Sequence, residues 1–483
     1  NSLIDDVTVA GDKAFNWNKE FPEIMENGGF DVVVGNPPYI FARNKSFSER
    51  EKNYYYKKYK QALYQINTYV LFIEQAYNLI KRHSYLGYIV PNTFLTINSF
   101  KELRAFILKE TNDIQIINIF DKVFNDAAVD TCIMILKREL GSKLSLGEMR
   151  ERILTLNQNV DKKDVMIDEY IINISTHQNP IISKILNKIN SKSQKIQDFS
   201  NVVAGLQAYE TGKGTPKQTE DMKKNRVYHS NNPINTTYKK YLEGSDVCRY
   251  FLGWSGEYLS YGNWLAAPRK PEYYEKERIL VRQIPSKLPY CINAVYTNER
   301  LLNDRNSMII LDFKENPKLL LALLNSKLMS FWFIYTFDKL QRGTFPQFKV
   351  NELKQFPIVQ IKQEFKINLI NFADIILLQN KELHEKSSHF INLLKAEYET
   401  IEISGKLNNW YELDWKQFTN ELKKQKIVFS GSQKDDWFER FNRVSTEIKE
   451  LQKTIDETDK QIDSLVYKLY NLTNEEIKIV ENM

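Results

Sequence analysis

Between Phe30 and Leu136, short apolar runs alternate with stretches of helical spacing, and few folds accept that order. Phe30-Asp31-Val32-Val33-Val34 is a strand-length run closed by Gly35. Thr68 to Lys81 places Val70, Ile73, Ala76, Tyr77 and Ile80 at helical intervals. Leu86 to Val90 is strand-like again, Phe100 to Leu108 is helical, and Ile114 to Ile119 and Thr131 to Leu136 return to strand. Strands alternating with helices predict an α/β domain with a mainly parallel sheet over residues 1–140.

The remainder changes character twice. Residues 141–195 are polar and weakly periodic, and read as a connector. Residues 196–360 gather glycine, proline, tyrosine and basic residues in short segments such as Thr211-Gly212-Lys213-Gly214-Thr215-Pro216, which predicts a mixed, β-rich domain. Its clearest helix is Leu319 to Tyr335. The lipophilic stretch Leu319 to Phe337 is interrupted by Asn325, Ser326 and Lys327, so it reads as a buried helix and not a membrane span. Residues 361–483 are helical. Trp437, Phe441, Val444, Ile448, Leu451 and Ile455 step by four and three, and Ile462, Leu465 and Leu469 continue the register. That is a coiled-coil seam. Phe365, Leu369, Phe372, Ile376, Leu383 and Phe390 mark a partner helix, so an antiparallel hairpin within the chain is expected, with an intermolecular coil as the alternative.

Cysteine and histidine usage narrows the chemistry. Cys132, Cys248 and Cys291 are few and far apart, and the five histidines form no metal pattern. Neither a disulfide framework nor a zinc site is expected, and a reducing compartment follows. No signal peptide follows the first residue, so the expected location is cytoplasmic, with no membrane partner. The net charge of +6 permits a nucleic-acid partner.

Asn36-Pro37-Pro38-Tyr39 follows the first strand directly. It reads either as a proline-rich turn or as a loop with chemistry. An exocyclic adenine nitrogen is a poor nucleophile because its lone pair is delocalised into the ring. Hydrogen-bond acceptors around its two protons draw it toward a tetrahedral form. The Asn36 side-chain oxygen and the Pro37 carbonyl are two such acceptors, and the prolines keep the loop extended. Tyr39 offers a flat face for a base taken out of a duplex. A loop at the carboxyl end of a strand also obeys the site rule for open α/β sheets.

The stretch Gly29 to Tyr39 resembles the catalytic motif of adenine-N6 DNA methyltransferases. Phe15-Asn16-Trp17 and Phe21-Pro22-Glu23 resemble the lead-in of single-chain restriction–modification enzymes of type IIG. Tyr69 to Glu74, Gly87 to Leu95 and Val123 to Val129 resemble the following helix, the loop that closes the pocket, and the segment that supplies a second aromatic. The resemblance implies an α/β fold with a partial Rossmann-like methyltransferase sheet. A mixed α+β target-recognition domain and a C-terminal helical or coiled-coil hairpin would follow it. It implies S-adenosylmethionine as cofactor, double-stranded DNA with a specific site as partner, direct methyl transfer without a metal, and Phe124 on the far face of the flipped adenine. Plain core packing is the other reading of Phe124.

The family's glycine-rich cofactor turn is not found. Gly28-Gly29 precedes a strand, and Gly212 and Gly214 lie in another region. Asn1 is the candidate counterpart of the acidic residue that contacts the cofactor. The cofactor motif and any nuclease are therefore expected upstream, and the chain alone is expected not to methylate DNA.

Residues 196–360 resemble the family's target-recognition domain through Tyr241 to Tyr250, Arg278 to Arg282, Leu323 to Lys327, Arg342-Gly343-Thr344 and Leu353 to Ile358. Ile462 to Thr473 resembles the closing helix of type IIG chains. Cations for DNA are Lys213, Lys217, Lys239, Lys240, Arg249, Arg269, Lys270 and Arg282, each of which also reads as a solvated surface charge. Lys57, Lys58 and Lys60, interleaved with Tyr54 to Tyr56 and Tyr59, form a sharper cluster; the alternative is an amphipathic helix with its tyrosines in the core. The competing functions are a specificity subunit without catalysis, and a methyltransferase for RNA, protein or a small molecule.

Overall fold

Gly29 fixes where the first strand begins. Its φ is +113°, and a Cβ there would lie 2.2 Å from the Leu79 carbonyl oxygen, so only glycine fits. The strand that follows, β1 (Phe30–Gly35), is parallel to β2 (Ile80–Pro91), with Gly35 opposite Tyr88. β3 (Asn112–Ile119), β4 (Thr131–Lys137), β5 (Lys143–Arg150) and β6 (Ile153–Asp161) complete a six-stranded sheet in the order β1-β2-β4-β3-β5-β6. These strands belong to a unit made of residues 1–184 and 334–344. The computed structural model describes residues 2–483 apart from 41–46, 64–65, 122, 124–129, 167–169, 175, 177–178 and 338–346.

The sheet is mixed, where the sequence predicts a mainly parallel one. Only β1–β2 and β3–β5 are parallel. β3 and β4 are neighbours joined by residues 120–130, a link shorter than the dozen or so residues a parallel crossover takes. β5 and β6 are joined at Glu151 and Arg152, whose φ values of 50° and 64° suit a two-residue hairpin turn. Residues 143–161, expected as connector, are thus two strands of this sheet.

Helices α2 (Thr68–Leu79) and α3 (Lys101–Glu110) pack on the sheet, while α1 (Glu49–Lys58) buries Tyr55 in a separate cluster with Leu3, Ile4 and Leu71. Ser48 and Glu51 form a reciprocal cap at the start of α1. Tyr69 and Ile73 of α2, Ile107 of α3, and Leu86, Ile116, Met134 and Leu146 of the strands are buried together.

Residues 185–333 and 345–483 form the second unit. One four-stranded sheet runs Ala294–Thr297, Arg278–Arg282, Ser307–Leu311, Asn201–Ala204, all antiparallel. Another runs Leu302–Asn303, Tyr238–Leu242, Tyr258–Ser260, His229–Ser230. Leu206, Leu242, Leu259, Leu280 and Ile309 share one core between them.

The predicted helix from Leu319 to Tyr335 is two helices, α4 (Pro317–Leu324) and α5 (Lys327–Phe337), bent by 64°. Asn325 causes the break. Its side chain accepts from Ala294 N–H at 3.0 Å and donates to Ala294 O at 2.9 Å, pairing with a strand end as backbone would. Among the described residues no single helix is long and apolar enough to cross a membrane.

Two long helices follow, α6 (Gln363–Glu397) and α7 (Ser432–Leu469). They pack antiparallel within the chain: Phe390 meets Trp437 and Phe441, Lys386 pairs with Glu447, and Gln379 faces Thr458. Of the predicted seam, Trp437, Phe441, Ile448, Ile455, Ile462 and Leu469 are buried, and Val444, Leu451 and Leu465 are half-buried. Past Ile455, Asp459, Asp463 and Val466 are buried too, a wider face than the sequence pattern marks.

Candidate functional site

The loop Asn36 to Tyr39 leaves β1 where its parallel partner β2 carries Ile89 and Pro91, so both carboxyl ends open at one edge. Tyr39 is half-buried, and its hydroxyl donates to the Ile89 carbonyl at 2.9 Å. Its ring meets the edge of Tyr69 at 6.3 Å. Burial, with Cys132 adding to it, pushes the Tyr39 phenol up to about 12, so it stays a neutral donor.

Thr68, the first residue of α2, latches the loop from behind. Its hydroxyl donates to the Pro38 carbonyl and accepts from Ile40 N–H at 2.9 Å, while Thr68 N–H donates to the Ile40 carbonyl at 3.0 Å. The Pro38 carbonyl is therefore engaged. The Asn36 side chain and the Pro37 carbonyl carry no hydrogen bond among the described residues, and Asn36 is exposed. Those are the two acceptors that the sequence singled out.

The turn after β2, Asn92 to Leu95, is held from below. The fully buried Arg104 of α3 donates to the Phe94 carbonyl at 2.6 Å and the Ile97 carbonyl at 2.7 Å. Asn92 donates to Asn118 at 2.8 Å, and Ile172 N–H to the Leu95 carbonyl at 2.9 Å. Sequence reading missed Thr68 and Arg104. The signals were there: a threonine at a helix start, and an arginine on the apolar face of Leu103, Ile107 and Leu108.

An open cleft of about 450 Å³ lies beside the loop, lined by Trp17, Phe30, Val34, Asn36, Phe72 and Gln75 among others. Ser2, Asn36 and Gln75 are its polar side chains apart from Trp17 and Tyr88, and no carboxylate lines it among the described residues. These residues do not make a complete S-adenosylmethionine site. Asn1, Phe124 and Arg342 to Thr344 lie outside the described residues. No group of three or more potential metal ligands is gathered among those described.

The basic–aromatic cluster divides. Tyr55 and Tyr59 are buried, as the amphipathic alternative requires. Lys58 pairs with Asp5 at 2.9 Å and donates to the Tyr54 hydroxyl at 2.8 Å. Lys57 and Lys60 are exposed.

In the second unit, Lys213, Lys217, Lys239, Arg269 and Lys270 are exposed and Arg282 is half-buried. Arg269 donates to the Gly205 carbonyl at 3.2 Å, and Lys240 sits over the Trp254 ring at 4.5 Å. Arg249 departs from the expectation of a DNA contact. Its guanidinium holds Asp459 of α7 with two bonds of 2.7 and 2.5 Å and donates to the Asn325 carbonyl. It also lies 3.9 Å from the centre of the Tyr290 ring. Its charge is thus paired inside the protein and its side chain is only 17% exposed, which does not suit a phosphate contact.

Comparison with known sequences fits this geometry. Residues 1–124 match the Eco57I restriction-modification methylase family, residues 239–358 the TaqI-like C-terminal specificity domain, and residues 362–466 a domain of unknown function. The type II restriction enzyme and methyltransferase RM.Eco57I of Escherichia coli is 31% identical over 228 residues, 43% of this chain. A putative type II restriction enzyme and methyltransferase of Methanocaldococcus jannaschii, RM.MjaORFECS2P, is 25% identical over 404 residues, 78% of this chain. The matches span 21% and 31% of those two relatives. The fold is shared with the type IIL restriction-modification enzyme MmeI, whose structure was determined in complex with DNA. The TM-score is 0.50 at 11% identity, covering 93% of this chain and 59% of that one.

Proposed function

We propose that this chain captures the target adenine and reads the DNA site for a site-specific adenine-N6 DNA methyltransferase of a restriction–modification or phage-defence system. S-adenosylmethionine is the methyl donor we assign to it, and the cytoplasm its place of work. The observation that carries this reading is the latched loop, which leaves the Asn36 amide exposed, and the carbonyl of the buried Pro37 without a hydrogen bond among the described residues, beside an anchored Tyr39.

The chemistry of the chain's own residues is positioning. A flipped adenine stacks on Tyr39. Its amino protons meet the Asn36 oxygen and the Pro37 carbonyl, which pull electron density toward the nitrogen and expose its lone pair. Phe124 is assigned to the far face of the base. Thr68 keeps the acceptors from drifting, and rigid acceptors aimed at developing charge are what such a site supplies. Because the cleft lining is incomplete for the donor, the chain alone binds DNA without turning over.

Two measurements test this. The chain is mixed with duplexes carrying the fluorescent base 2-aminopurine in place of adenine, drawn from sequences it selects. A rise in fluorescence on binding supports adenine capture; tight binding with no rise at any adenine position leaves a pure specificity subunit. Preference for single-stranded RNA over duplex DNA would point to the RNA reading. Labelled S-adenosylmethionine should give no methylated DNA with this chain. In a form of the protein that does turn over, Asn36→Ala should raise the barrier by about 2–4 kcal/mol.

A further inference from the structure

Two exposed turns of the second unit are built far more rigidly than their position requires. Gln218 is buried and organises the first. Its side chain donates to the Ala208 carbonyl at 2.8 Å and the Trp264 carbonyl at 2.7 Å, and accepts from Glu210 N–H at 2.8 Å. Gly212 N–H donates to the Gln218 carbonyl, and Gln218 N–H to the Lys213 carbonyl. Gly214 has φ +81°, and a Cβ there would stand 2.3 Å from the Trp264 carbonyl oxygen. The second turn is Tyr261-Gly262-Asn263-Trp264. The Trp264 indole lies over Gly262, where a Cβ would come within 2.4 Å of the ring, and its N–H donates to the Ser260 carbonyl at 2.9 Å. Thr215 N–H donates to the Asn263 carbonyl at 2.9 Å and joins the two turns.

Among the exposed side chains on this joined element are Lys213, Lys217 and Asn263. None of them is bonded among the described residues. The nearby acids are engaged elsewhere, Glu210 with Gln207 at 3.0 Å and Glu220 with Thr211 at 2.6 Å and Lys223 at 3.2 Å. Fixing exposed backbone this tightly is opposed by conformational entropy, and it lowers the cost of ordering when a ligand arrives. Two free cations beside a forked amide suit a polyanion that also presents a hydrogen-bonding edge. Duplex DNA is that ligand. Lysines take phosphates without regard to sequence, and an asparagine amide pairs with the N6 and N7 edge of adenine.

We infer that Asn263 is a base-reading residue, set in place by the Gln218-braced turn, and that Lys213 and Lys217 grip the phosphates on either side. The inference rests on the DNA-reading function proposed above.

The test uses the whole chain. Duplexes are selected from a random pool by the wild type, by Asn263→Ala and by the double variant Lys213→Ala/Lys217→Ala, with circular dichroism melts to show that each is folded. Asn263→Ala should lose preference at one base pair, by about 5- to 100-fold, with the salt dependence of binding unchanged. The double variant should weaken binding to all sequences alike and reduce the slope of log K against log salt by about 2. A selected motif that survives Asn263→Ala intact overturns the inference and leaves the DNA-reading function standing. A wild type that binds no duplex overturns both.

Discussion

Thr68 is the residue on which the candidate pocket turns. One hydroxyl both donates to the Pro38 carbonyl and accepts from Ile40 N–H, so it fixes the loop on either side of Tyr39. Thr68→Val keeps the shape and removes both bonds. It should cost about 1–3 kcal/mol in chemical denaturation, since two part-buried hydrogen bonds of about 0.5–1.5 kcal/mol each are lost. It should also diminish the 2-aminopurine signal on DNA binding, and Thr68→Ser should restore both. A valine variant equal to the wild type in stability and signal would end the latch as an account of the loop. Asn36 to Tyr39 could be proposed from the sequence because residue type and order alone suggest a chemistry. Thr68 and Arg104 were not, because their value lies in which carbonyls they meet across the fold. Arg249 shows the converse. In the sequence it is one more cation near tyrosines, and only burial against Asp459 reveals that its charge is spent inside the protein.

At the scale of elements, α7 is more than half of a hairpin. Past Ile455 it sets Asp459 against Arg249, and Asp463 against the Tyr290 hydroxyl at 2.8 Å and Lys327 N–H at 2.9 Å. His384 of α6 adds a stacked contact with Phe251, ring centres 3.7 Å apart. The apolar steps of four and three showed the hairpin; the polar half of its seam had no periodic signature, since each charge there answers to a partner far away in sequence. Arg249→Met should destabilise the second unit by about 3–5 kcal/mol, because Asp459 is left buried and unpaired. The double variant Arg249→Met/Asp459→Leu should recover most of that in urea unfolding. Asp463 gives a pH signature. Burial pushes its carboxyl up to about 6, against the pull of Lys327 N–H, Tyr290 and Arg249 toward ionisation. The folded state therefore binds a proton that the unfolded state releases, between about pH 4 and pH 6. This group favours folding below about pH 4 and loses that contribution as pH rises through 6. Asp463→Asn should gain most over the wild type above pH 6, by on the order of 2–3 kcal/mol, and the gain should shrink toward pH 4. A gain that does not vary across melts at pH 4, 5, 6 and 7 would contradict it.

For the molecule as a whole, the sheet of the first unit ends at β1 among the described residues. β1 has β2 on one side and no described strand on the other. Val32 is 57% exposed and Val34 78% exposed, large values for valines in a strand. The same strand delivers the Asn36 loop, so it is ordered on one side by Gly29, Leu79 and β2, and has no strand on the other among the described residues. A row of unpaired N–H and C=O groups flanked by apolar side chains is a template for another strand. The purified chain should therefore self-associate with rising concentration. Val34→Lys places a charge on that edge without touching a buried group. It should move sedimentation toward the monomer and raise solubility, with a melting temperature close to the wild type, since substitutions at exposed sites usually change stability by less than about 0.5 kcal/mol. Self-association that persists unchanged in Val34→Lys would place the sticky surface elsewhere and leave the edge of β1 without a role in it.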